Sequence, residues 1–433
     1  MAELIYDETG RLLFTEEMRK EYTILIPNML PIHFRLLEKV FNNHGYKMKL
    51  LTTTGRRIIN EGLRYTHNDT CYPALLVIGQ FIDALKSGEF DPDKTALMMV
   101  QTGGGCRASN YIHLIRKALI KCGMEQVPVI SLAMPAIEKN PGFSMTAPLL
   151  AQLITAVCYA DVLMLLGNQV RPYEINKGDT DALIAKWEQE LANLKFSYTA
   201  FDRVTARIIK DFEAIPYKDD PDVVKVGIVG EIFIKYSPLG NNELQKFLES
   251  EGCEVYCPGL IDFLIFMGDH HVVETELYHI KYKKYFGSLG IKGFFKMMQN
   301  KIIRAVKKTR FFGPTPFEEA KKDVEAYISP ANKMGEGWLL TAEMVDMIHM
   351  GYGNIVCAQP FGCLPNHIIG KGMIRKLREM YPEANIAPID YDPGATQVNQ
   401  ENRIKLMLST ARQQMAEKRA AEAAQAAEAA KEA

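Results

Sequence analysis

The chain has 433 residues, 47% hydrophobic and 24% charged, with a formal net charge of −1. That length exceeds what a single core usually supports, so two or three lobes are expected. The near-zero charge argues against nucleic acid or an anionic membrane as partner.

The first residues, Met1 to Asp7, show no basic region leading into an apolar core, so no signal peptide is expected. No uninterrupted apolar run spans a bilayer; Ala147 to Leu166 comes closest, but Gln152 and Asp161 interrupt it. A cytoplasmic protein is expected. Its eight cysteines then read as core residues, ligands or redox groups rather than disulfides.

Residues 1–21 are polar and read as an arm or a first helix. Tyr22 to Ile26 is a strand of buried type, Pro31 to Asn43 a helix and Tyr46 to Leu51 a second strand. This β-α-β order implies a parallel, doubly wound sheet. It continues through a loop around Cys71, a helix from Ala74 to Lys86, the strand Ala96 to Val100 and a loop ending at Cys106. A helix from Ser109 to Lys121 and the strand Val127 to Leu132 complete a first α/β lobe over 22–141. Residues 142–220 have a helical period. A second lobe with a helical insertion spans 221–337, starting at the strand Val223 to Val229. The strands Asn354 to Cys357 and Ile386 to Ile389 define 338–398, read as a third lobe or a return into the second. The Ala/Glu/Lys-rich end, 399–433, reads as a helix that frays into solvent.

One stretch carries the chemistry: Cys357-Ala-Gln-Pro-Phe-Gly-Cys363-Leu-Pro-Asn366-His367. Pro360 and Gly362 stop a buried strand there, and Ile368 to Met380 reads as a helix. A cysteine on the turn after such a strand sits at the carboxyl edge of the sheet, where open α/β folds bind ligands. Cys71, in Asn68-Asp-Thr-Cys-Tyr-Pro73, and Cys106, closing Gly103-Gly104-Gly105-Cys106, occupy comparable loops. Three thiols on three distant loops suggest one site assembled by the fold, holding a soft metal or an iron–sulfur cluster. Cys357 is either a fourth ligand or core.

Cys122, Cys158, Cys253 and Cys257 read as packed side chains. No CxxC pair or ferredoxin spacing is present. Gly103, Gly104 and Gly105 lack the Lys-Ser/Thr of a phosphate-binding loop, so no nucleotide is expected on this chain; their smallness would let backbone amides approach cluster sulfides. Asn366 and His367 either cap a helix or face the site. His270-His271 reads as structural, and Asp390 to Gly394 as a turn.

At these motifs the sequence resembles the 2-hydroxyacyl-CoA dehydratase superfamily. The likeness is nearest to the dehydratase-like part of large CoA-substrate-specific enzyme activase proteins, with a relation to double-cubane-cluster reductases. It rests on Asn68 to Pro73, Gln101 to Cys106, Gly227 to Glu231 with Pro238 to Asn241, Gln359 to Gly372, and Ile389 to Gly394 running into Asn399 to Leu406. The run Pro360 to His367 is the most specific. The resemblance implies flavodoxin-like lobes around an iron–sulfur cluster, most simply 4Fe-4S. Its ligands would be Cys71, Cys106 and Cys363, and a separate ATP-hydrolysing activator would reduce it. An acyl-CoA or other small substrate and a homo- or heterodimer are expected with it, and a pocket at the sheets' carboxyl edges would place Glu231, Asn366 and His367 nearest the site. Two readings stand beside a catalytic one: a non-catalytic subunit that carries the cluster or docks the activator, and a structural zinc site built from Cys71, Cys106, Cys357 and Cys363.

Overall fold

The computed structural model describes residues 2–67, 69–101, 105–132, 138–195, 197–280 and 282–432, with side chains to 426. Among them are two parallel four-stranded sheets. The first is built from β1 (Thr23–Pro27), β2 (Met48–Leu51), β3 (Thr95–Val100) and β4 (Val129–Leu132), in the order β2-β1-β3-β4. The second is built from β5 (Val224–Gly230), β6 (Cys253–Tyr256), β7 (Asn354–Pro360) and β8 (Asn385–Tyr391), in the order β6-β5-β7-β8.

The two orders are the same, so the chain repeats one doubly wound, flavodoxin-like plan. In each sheet the order reverses between the first strand and the third, which opens a crevice at the carboxyl edge. In the first sheet Ile24 pairs with Ala96; in the second Gly230 pairs with Ala358. The central strands β1, β5 and β7 are buried on both faces, as continuous apolar runs in a helix-covered parallel sheet should be.

Tertiary context decides between alternatives that the sequence leaves open in two places. The segment 338–398 is no separate lobe: β7 and β8 extend the second sheet, with seven residue pairs between them and β7 hydrogen-bonded to β5. A long helical insertion separates β6 from β7 in sequence, which makes one sheet look like two in the chain order. The first residues are no free arm either. Leu12, Phe14 and Met18 are buried, Glu16–Glu21 is helical, and the Gly142 amide donates to the Phe14 carbonyl at 2.8 Å.

The helix Ala147–Val170 joins the two sheets' surroundings. It is long and apolar enough to cross a membrane, yet 67% of its most apolar window is buried inside the fold. Its Asp161 carboxylate accepts from His33 Nε2 at 2.6 Å, on the first unit's helix Pro31–Asn43. It also accepts from the Leu260 and Ile261 amides at 2.8 and 2.7 Å, and so caps the helix Leu260–Tyr278 of the second unit. Orphan amides at a helix start need such an acceptor. The residue that interrupts the apolar run is therefore a buried staple. The C-terminal helix Gln397–Glu432 lays Ile404, Met407, Leu408 and Ala411 against the fold before its exposed end.

Candidate metal centre

Four segments meet where the two carboxyl edges approach each other. The loop before the helix Tyr72–Lys86 brings Cys71, the loop after β3 brings Cys106, and the turn after β7 brings Cys363. The Tyr72 amide donates to the Phe361 carbonyl at 2.9 Å, tying the Cys71 loop to the Cys363 turn. Gly362 has φ +74°, and a Cβ there would lie 3.1 Å from the Cys71 Cα. Glycine is thus required twice over, by its backbone conformation and by the closeness of the two cysteine loops.

The fourth segment is the loop Met334 to Gly337. Glu336 is buried and its Oε1 accepts from the Ile232 amide at 3.0 Å. Glu231, the residue after β5, accepts at Oε2 from the Ile234 amide at 2.9 Å. Both carboxylates therefore sit at the start of the short helix Ile232–Tyr236. Burial, then their mutual repulsion, pushes Glu231 up, and burial pushes Glu336 up, so the pair favours keeping a proton.

The thiols respond to the same surroundings. Burial raises Cys71, pushes Cys106 up to about 12 and holds Cys363 well above the usual thiol range. Glu231 adds to all three, and Glu336 to Cys106 and Cys363. Cys106 also feels Cys71, and Cys363 feels Cys106, as close neighbours do. In such a setting thiols stay neutral unless a cation takes the place of their protons. The Tyr111 hydroxyl lies 3.2 Å from Cys71 Sγ, positioned to hydrogen-bond the sulfur.

Of the other expected site residues, Asn366 is fully buried and its Oδ1 has no hydrogen-bond partner. It opens a π-turn, Asn366–Gly370, in place of the regular helix expected from Ile368; such turns are frequent at functional sites. His367 is exposed and its Nδ1 is bonded to the side-chain amide of Gln359. Gly105 lies beside Met334, whose Sδ would be 3.5 Å from a Cβ there. Gly103 and Gly104, and Asn68 of the Cys71 motif, lie outside the described residues.

Cys357 is in different company. It is buried among Val229, Leu340, Met344 and Ile369, and the charges that reach it come from Asp390, Lys371 and Glu343, with no cysteine among them. Cys158, Cys253 and Cys257 are buried, and Cys122 is half-buried with its thiol on the Leu119 carbonyl. Among the described residues no group of three His, Cys, Asp or Glu side chains could hold one metal ion.

Glu336 and Tyr111 were missed in the sequence. A signal for Glu336 existed: it is bracketed by Gly335 and Gly337, both with positive φ. Tyr111 opens the helix after the Cys106 loop and had no distinguishing spacing. In comparisons with known proteins, no family profile matches the chain and no curated protein is significantly similar to it.

Proposed function

We propose that this is an iron–sulfur protein of the 2-hydroxyacyl-CoA dehydratase type. In this reading Cys71, Cys106 and Cys363 hold the cluster, a separate ATP-hydrolysing activator supplies a low-potential electron, and an acyl-CoA or other small molecule is the substrate. The observation that carries it is the convergence of three loop thiols with two proton-holding carboxylates at the facing sheet edges.

When bound, a three-thiolate cluster supplies an electron and an iron open to a carbonyl or hydroxyl oxygen. The chain's own groups do the rest. Tyr111 orients the Cys71 sulfur and draws charge from it. Glu231 and Glu336 share a proton that one of them gives to a departing hydroxyl, a task that suits a carboxyl raised toward neutrality. Asn366 offers a buried side-chain amide beside the Cys363 turn. A carrier without turnover is the second reading. It is favoured by the small exposure of Cys71 and Cys363, 5% and 8%, which outer-sphere electron transfer tolerates.

Iron, sulfide and zinc analysis after anaerobic purification tests both. Cys71→Ala, Cys106→Ala and Cys363→Ala should each lose the iron, while Cys357→Ala should retain it. Full iron occupancy in Cys363→Ala would overturn the site, and zinc in place of iron would restore the structural-zinc reading. Cyanide or an acyl-CoA should alter the EPR signal of the reduced cluster if the protein turns substrate over; an unaltered signal favours the carrier.

A further inference from the structure

The helix Leu260–Tyr278 turns at His279 and returns as the helix Tyr282–Val306. The inner face of the returning helix is occupied. Ser288, Lys292, Phe295, Gln299 and Ile302 are buried, and Gly268 lies so close that a Cβ there would be 2.9 Å from the Lys292 amide nitrogen. The opposite face is open. Tyr282, Phe286, Leu289, Gly290 and Gly293 follow the i, i+3, i+4, i+7 spacing of a second apolar stripe. A helix apolar on two faces, with one open to solvent, lacks a partner.

The exposure is concentrated there. Leu277, Tyr278, Ile280, Tyr282, Phe286, Leu289 and Ile291 are 43–78% exposed, Phe286 the most. No other stretch of that length among the described residues is as dense in exposed large apolar side chains. Contiguous apolar patches of this kind mark interaction surfaces. Added Cβ atoms at Gly287, Gly290 and Gly293 would meet nothing within 4 Å, so the chain itself makes no use of their smallness.

We propose that this face is a two-fold interface with a second copy of this chain, formed by antiparallel crossing of the helix Tyr282–Val306. Three observations select a second copy. First, the face is self-complementary. Phe286 and Gly293 lie equally far on either side of the Leu289–Gly290 step, so a two-fold axis there sets Phe286 of each copy over Gly293 of the other. Second, Tyr285 to Ile291 contains no charged side chain, as an interface centre requires. Lys283 and Lys284 of the two copies fall at opposite ends of the crossing, roughly 16–20 Å apart at about 1.5 Å per residue and beyond a Debye length of about 8 Å. Lys296, on the other side, is engaged with Glu318 at 2.6 Å. Third, at 43–78% exposure these seven residues together present roughly 800 Å² to solvent, close to the per-partner area of a standard stable interface.

The interface does not depend on the iron–sulfur reading, and the full chain can be tested with or without metal. Light scattering coupled to size exclusion, at tens of micromolar, should give a dimer. Phe286→Glu and Gly293→Leu should each raise the dissociation constant by at least about 30-fold, the effect expected at a central contact. Gly293→Leu places a better helix former on an open face, so its monomer should keep or exceed the helical content and melting temperature of the wild type. Ile175→Glu, an exposed apolar residue on the loop before the helix Asp179–Leu191, should remain dimeric. A monomeric wild type, or a dimer that survives both Phe286→Glu and Gly293→Leu, would overturn the proposal.

Discussion

Lys235 and Glu343 give the sharpest test of how the region behind the candidate centre is held. Their side chains are 3% and 6% exposed, and Nζ lies 2.6 Å from Oε1, while Glu343 Oε2 has no partner. Lys235 is one turn beyond Glu231 on the helix Ile232–Tyr236, so the pair also anchors the segment that carries Glu231 and accepts Glu336. Replacing Lys235 by Met removes the charge that balances Glu343. Breaking a buried pair by removing one partner costs about 3–5 kcal/mol, because the remaining charge stays desolvated. The loss should depend on pH. Burial already raises Glu343 above its ordinary 4.5, and without Lys235 it rises further. A carboxyl raised in the folded state favours folding while neutral, and that contribution fades as pH climbs above the unfolded value. The deficit of Lys235→Met should therefore be small near pH 5 and reach its full size at neutral pH. Urea unfolding at the two pH values measures it, and Lys235→Met/Glu343→Leu should recover most of the stability. A single variant within about 0.5 kcal/mol of wild type at neutral pH, the range of an ordinary surface change, would refute the reasoning. A double variant no better than the single one would refute it equally.

Gly230 has φ +154°, and a Cβ there would fall 2.2 Å from the Ala358 carbonyl oxygen across β5 and β7. Gly230→Ala should cost at least about 2 kcal/mol and dislodge Glu231, seen as a lower urea midpoint and, in loaded protein, as a changed cluster spectrum. Asp262 and Asp346 face a small cavity beside Glu343, and burial pushes both up to about 8 from an ordinary 3.8. Their neutral forms stabilise the fold fully below about 4, and that stability is lost as pH rises through about 8. Asp262→Asn/Asp346→Asn should flatten the fall in urea midpoint across that window; an unchanged slope would remove these two groups as its cause.

The sequence alone determined the α/β class, because short apolar runs alternating with helical periods have few other solutions. It also picked out Cys71, Cys106 and Cys363 as candidates, since each stands within two residues of Gly or Pro where a strand or loop gives way to a helix. Other features depended on contacts between distant segments. That β7 and β8 rejoin β5 was hidden by the helical insertion, because strand pairing leaves no mark in local composition. Cys357 and Cys363, six residues apart, were separated by which side of β7 and its turn each occupies: one lies in an apolar core, the other with Glu231 and Glu336. Glu336 joined the centre through a loop whose glycines signalled a tight turn but not its neighbours. Asp161 looked like a flaw in an apolar helix; only the assembled fold brought His33 and the start of the helix Leu260–Tyr278 to it, turning a buried charge into a joint between the two units. A local pattern fixes which residues can be buried or can bind. Which of them meet is decided by the packing of elements far apart in the chain.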